Sequence, residues 1–115
     1  MKFSAVVLIV PEEDENPAVR ILKEAGATGI TILKGKGLRQ HDRKTCLGLG
    51  LELRESLLLC VVEKQLAVRI LKAVKVEMKL DLPGGGLAFS LPLGNVVGIG
   101  MAQLESFRRE VADSL

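Results

Sequence analysis

The sequence has no tryptophan and no tyrosine, and only three phenylalanines. Stacking of bases on aromatic side chains is therefore excluded as the main way of holding nucleic acid. A net charge of +2 is too small for binding DNA through its phosphates alone. Histidine occurs once, at His41, and cysteine twice, at Cys46 and Cys60. The cysteines have no CxxC spacing and no histidine cluster beside them, so no metal site is expected and both read as ordinary reduced thiols. No nucleophile–base pair is evident, so no catalytic residue is assigned and the chain is not expected to be an enzyme. Hydrophobic runs are short: AVVLIV falls far below the ~20 residues that span a bilayer. No leader of basic, apolar and small residues opens the chain. The expectations are a cytoplasmic protein with no membrane insertion and no nucleic-acid partner.

What is present is a repeat. AVRILK occurs at Ala18–Lys23 and again at Ala67–Lys72. Around the first copy, Ala18, Val19, Ile21, Leu22 and Ala25 recur at helical spacing, with Asn16 as a cap, Pro17 at the first helical position and Gly26 as the left-handed stop. Around the second, Leu66, Ala67, Val68, Ile70, Leu71 and Val74 form the same stripe. Each helix has a strand on either side: Phe3–Val10 and Gly29–Leu33 for the first, Leu57–Val62 and Leu87–Leu91 for the second. A βαβ unit used twice gives an α+β, ferredoxin-like (βαββαβ) domain over residues 1–115, an antiparallel sheet with two helices on one face. A short strand at Val96–Ile99 and a helix at Gln103–Asp113, within residues 101–115, are expected to follow.

The halves are joined by Lys34–Ser56, longer than a hairpin needs, and such loops are usually functional. Its first part, KGKGLRQHDRK, sets Lys34, Lys36, Arg39, Arg43 and Lys44 against one acid, Asp42. Cations beside Gly35 and Gly37 suit an anion, because glycine lets the backbone approach it closely. A solvated basic loop has the same composition. The second part alternates Leu47, Leu49, Leu51 and Leu53 with glycine and glutamate. That period of two predicts an outward extension of the third strand, an apolar ladder that wants a partner. Gly84–Gly86 predicts either a tight turn or a close ligand contact. Strands Val6–Val10 and Leu57–Val62 are apolar at both parities, while the two repeat helices cover one sheet face. Self-association is expected to cover the other.

In order along the chain stand TGIT at Thr28–Thr31, KGKGLRQ at Lys34–Gln40, GGGLAFSLP at Gly84–Pro92 and VVGIG at Val96–Gly100. In these motifs the chain resembles the nitrogen regulatory PII signalling proteins. The resemblance implies a homotrimer that binds ATP, ADP or another anionic effector between subunits. Its long T-loop, residues 34–56 here, would dock on a transporter, enzyme or regulator. Thr31, Gly35, Lys36, Gly37, Arg39, Gln40, Gly84, Gly85 and Gly86 are the expected ligand-binding residues. Residues 38–56 are the expected target surface, with Leu47, Leu49, Leu51 and Leu53 as its apolar contacts. The chain departs from the family at Leu87, Gly98 and Gly100, where three phosphate-binding cations are missing. With no tyrosine, it also lacks the residue modified in the family's T-loop. The alternative is another ferredoxin-like sensing or structural module, ACT-type or CutA-like, without nucleotide binding.

Overall fold

The computed structural model describes residues 2–39 and 51–98. Strand β1, Phe3–Pro11, ends in a single 3-10 turn at Glu12–Asp14, and helix α1 follows over Glu15–Ala25. Strand β2 is Thr31–Arg39, β3 is Leu51–Glu63, helix α2 is Lys64–Glu77 and β4 is Leu87–Leu93. The sheet order is β2-β3-β1-β4, with every neighbouring pair antiparallel. Each central strand starts one βαβ unit and each edge strand ends one, so the repeat in sequence is a repeat in space.

Both helices lie on the sheet face that carries the even-numbered residues of β1 and β3. Val6, Leu8, Val10, Leu58, Cys60 and Val62 meet Ala18, Ile21 and Leu22 of α1 and Ala67, Ile70 and Val74 of α2 in one buried cluster. Fully burying one leucine or isoleucine stabilises by ~1.5–3 kcal/mol, so this layer holds the fold. Burial also pushes the Cys60 thiol up to about 11, which leaves it protonated and unreactive.

The helix ends differ from the sequence expectation in two ways. α1 begins at Glu15, ahead of Asn16, because the acids Glu12–Asp14 already wind a 3-10 turn into it; Asp14 holds the cap position without a side-chain bond. Gly26 ends the helix as expected, at φ 117°, its N–H donating to the Leu22 and Lys23 carbonyls. In α2 the stripe centres on Ala67, Ile70 and Val74, which turns Val68 outward to 48% exposure. That helix is capped by the Glu63 carboxylate, which accepts from the N–H groups of Gln65 and Leu66.

A larger correction concerns the joining segment. Lys34–Arg39 is strand, the outer half of β2, because Leu51–Ser56 supplies a paired partner from Lys34↔Ser56 out to Arg39↔Leu51. The two strands form a hairpin arm. Residues 94–98 carry no strand, and the rest of the expected Val96–Ile99 strand, with the helix at Gln103–Asp113, lies outside the described residues.

Candidate functional site at the base of the arm

Three elements meet where β1 leaves the sheet. Pro11 pairs with Glu55, Glu55 pairs with Gly35, and Ile9 pairs with both Leu57 and Leu87. The arm and the glycine turn before β4 therefore flank the same end of β1. A cleft of about 660 Å³ opens there, lined by Pro11, Glu12, Glu13, Leu53, Arg54 and Gly84. A second of about 260 Å³ lies on the helix-free face, lined by Ile9, Leu33, Lys34, Gly35, Lys36, Glu55 and Leu57.

The glycine turn is a tight one. Gly84 and Gly86 have φ of 83° and 116°, which favours glycine. A side chain on Gly86 would also collide with the Ile9 carbonyl, so the turn lies directly on β1. The backbone alone accounts for these residues, and Gly84 additionally faces the larger cleft.

Two cations of the arm, Lys34 and Lys36, are engaged. On the helix face, the Lys34 ammonium pairs with Glu15, lies 3.7 Å from Glu12 and donates to the Ser56 hydroxyl at 3.3 Å. Ser56 is fully buried and donates to Glu15 Oε1 at 2.7 Å. These contacts hold the Glu15 carboxyl below its ordinary value and the Lys34 ammonium above its own, chiefly through the hydrogen bond between the two. The first turn of α1 is thereby tied to both strands of the arm. Farther out, Lys36 pairs with Glu52 at 3.1 Å. On the opposite face, Glu55 lies over Gly37: a first side-chain carbon at Gly37 would stand 2.5 Å from its carboxyl carbon.

The structure thus brings Gly35, Lys36, Gly37 and Gly84 to one end of the sheet. Gly85 lies in the same turn, with its space taken by the Lys79 carbonyl. Thr31 is exposed opposite Leu59 and lines neither cleft. Arg39 ends β2 opposite Leu51, and Leu53 is half-buried at the larger cleft. Gln40, Arg43, Lys44, Leu47 and Leu49 lie outside the described residues. Sequence reasoning missed Glu12, Glu15, Arg54, Glu55 and Ser56. Parity held a signal for one: Glu55 shares the odd-numbered face of Leu53 and Leu57, an acid within an apolar ladder. The others needed the hairpin register. Among the described residues no group of three or more acids, cysteines or histidines is placed to hold a metal, and no helix is long and apolar enough to cross a membrane.

The sequence pattern of the family described as nitrogen regulatory protein P-II matches residues 3–102. No curated protein shows a significant match. In fold the chain is similar to Bacillus subtilis GlnK in its complex with ATP, at a TM-score of 0.67 and 18% identity, covering 85% of this chain and 89% of that one. It is also similar to CPII, a nitrogen regulatory PII-like protein from Thiomonas intermedia K12 bound to ADP, AMP and bicarbonate, at 0.61 and 16%, covering 84% and 98%. CutA1 from Oryza sativa is similar at 0.64 and 19%, covering 95% and 93%. At these identities the likeness is one of fold.

Proposed function

The chain belongs to the nitrogen regulatory protein P-II family, and on that premise we propose that it is a non-catalytic, cytoplasmic signal-transduction protein whose arm responds to a small oxyanionic effector. An adenine nucleotide is the first candidate, since GlnK and CPII are described with ATP, ADP and AMP. The observation that carries this reading is the convergence of the arm and the glycine turn on one cleft, through Leu53, Arg54 and Gly84. A ligand held by both elements favours one arm position over others and so shifts their populations. Thr31, Gly35, Lys36, Gly37, Arg39, Gln40 and Gly84–Gly86 are the proposed ligand residues. The 34–56 segment, carrying Leu47, Leu49, Leu51 and Leu53, is the proposed surface for a target protein. Residues 101–115 form the proposed C-terminal helix of this single domain.

The proposed assembly is a homotrimer. Leu33, Leu87, Phe89 and Leu91 on the helix-free face are 56%, 57%, 36% and 51% exposed. A contiguous apolar surface of this kind favours association. The fold of CutA1 keeps a CutA-like module without nucleotide binding as the competing reading. Titration calorimetry with ADP and ATP separates the two. Binding that weakens about tenfold in Arg54→Ala, with an unchanged melting temperature, supports the regulator, because one exposed charge contributes little to stability. No heat with either nucleotide removes the adenine nucleotide as its effector.

A further inference from the structure

The sequence repeat supplies an internal comparison for the outer faces of the two helices. In register, Glu15 of α1 corresponds to Lys64 of α2, Val19 to Val68, Lys23 to Lys72 and Glu24 to Ala73. The buried halves match, but both acids of α1 are replaced in α2. On α1, Arg20 pairs with Glu24 at 3.3 Å and Val19 packs against the core. On α2, Lys64, Val68, Lys72 and Lys75 share the outward face, and Val76 and Lys79 stand beside its end; all six are exposed. Val68 is 48% exposed and Val76 74%. Among the described residues none of these four lysines forms an ion pair. Residues 64–80 hold five of the sixteen cations and one of the fourteen acids, a net +4 in a chain of +2. Stability does not explain the pattern. Lys64 sits in the first turn, where the helix dipole disfavours a cation, and Lys72 and Lys75 repel one another a turn apart.

We propose that the outer face of α2 docks on an anionic phospholipid surface, with Lys64, Lys72, Lys75 and Lys79 meeting headgroup oxyanions and Val68 and Val76 resting against the interface. The complement must be negative along the whole helix, ~20 Å at 1.5 Å per residue. A protein partner fits less well. One helix ridge falls short of the ~800 Å² that each partner gives to a stable protein interface, and lysine is scarce in such interfaces while aromatics and arginine are common. A lipid surface needs neither a pocket nor a fixed geometry. Each lysine is attracted separately, and its flexible stem keeps the ammonium among the headgroups. Docking is peripheral, since no described helix is long and apolar enough to cross a membrane. The face lies opposite the helix-free one proposed for self-association, so neither blocks the other. The inference stands apart from the effector-binding reading.

The test is co-sedimentation of the chain with vesicles of phosphatidylcholine and phosphatidylserine, set against vesicles of phosphatidylcholine alone. Binding is expected only to the anionic vesicles, and is expected to fall as salt is raised, because exposed charges are screened. Lys72→Gln is expected to weaken it about fivefold, and Lys72→Gln with Lys75→Gln about 25-fold. Lys23→Gln, the equivalent substitution on α1, is expected to stay within about twofold of wild type. These residues are exposed, so each variant should keep the wild-type circular dichroism. Failure of the wild type to sediment with anionic vesicles at low salt overturns the proposal, as does equal binding to neutral ones. Equal loss in Lys23→Gln and Lys72→Gln overturns it too, since binding then follows net charge rather than this face. Polyglutamate that binds the chain while the vesicles do not would assign the face to an acidic protein and remove the lipid.

Discussion

The two faces of the sheet are built from similar side chains and end in different environments. On the even-numbered face, Leu8 and Leu58 are 0% exposed, sealed by Ile21, Leu22, Ile70 and Val74. On the odd-numbered face, Val7 is buried between its strand neighbours, yet Leu33, Leu87 and Leu91 are more than half exposed. Alternation assigns a residue to a face, but only a covering layer makes that face a core. Two helices supply one layer. Among the described residues no second layer covers the other face, and the proposed effector site lies at its end, beside Gly35.

Truncation separates the faces most strongly. Leu58→Ala removes atoms from the sealed layer and is expected to destabilise by ~2–5 kcal/mol in denaturant unfolding. The comparison breaks if Leu91→Ala costs the isolated chain as much. The next effect is on assembly. Phe89→Asp puts a charge on the helix-free face and should reduce the particle mass, measured by light scattering at micromolar concentration, from three times the 12.4 kDa chain mass towards one. Circular dichroism should remain that of the folded chain. An unaltered mass would move the interface elsewhere.

A smaller effect is expected where the sealed face turns polar. Ser56→Ala deletes the buried hydroxyl that joins Lys34 to Glu15 and should cost about 1 kcal/mol. Hydrogen exchange should rise at 35–39 and 51–55 more than in Val6–Val10. Uniform acceleration would mean that the contacts support the whole domain rather than the arm.

The least effect is the pH dependence of the same contacts. Glu15 is held below its ordinary value of 4.5, so its contribution is complete above that value and fades as pH falls through the lowered one. Lys34 is held above its ordinary 10.5, so its contribution is complete below that value and fades as pH rises through the raised one. Exchange in the arm should therefore show no added pH sensitivity from this pair between about 5 and 10. A step inside that range would implicate another group.

The repeat made much of the fold legible. AVRILK marked both helices, and runs such as VVLIV and LLLCVV marked the central strands, because hydrophobic period is a local property of the chain. The arm was half legible. The leucine parity led outward from Leu57 to Leu51, but KGKGLR reads as loop by its glycines and becomes strand through pairing with Leu51–Ser56. Propensity yields to a partner strand, and that partner is distant in sequence. The candidate site was the least legible part. Its glycines were visible as glycines, while Glu12, Glu15 and Glu52, which pair with its lysines, became neighbours only through register and the placement of α1 on the sheet.

The central claim is that one effector site joins the arm to the glycine turn. Hydrogen-exchange mass spectrometry of the wild-type chain with and without saturating ADP tests it most directly. The account predicts slowed exchange at 35–39, 51–55 and 84–86 together, with Val6–Val10 unchanged. ADP that leaves those three segments exchanging as before, or that protects the glycine turn without the arm, would contradict it.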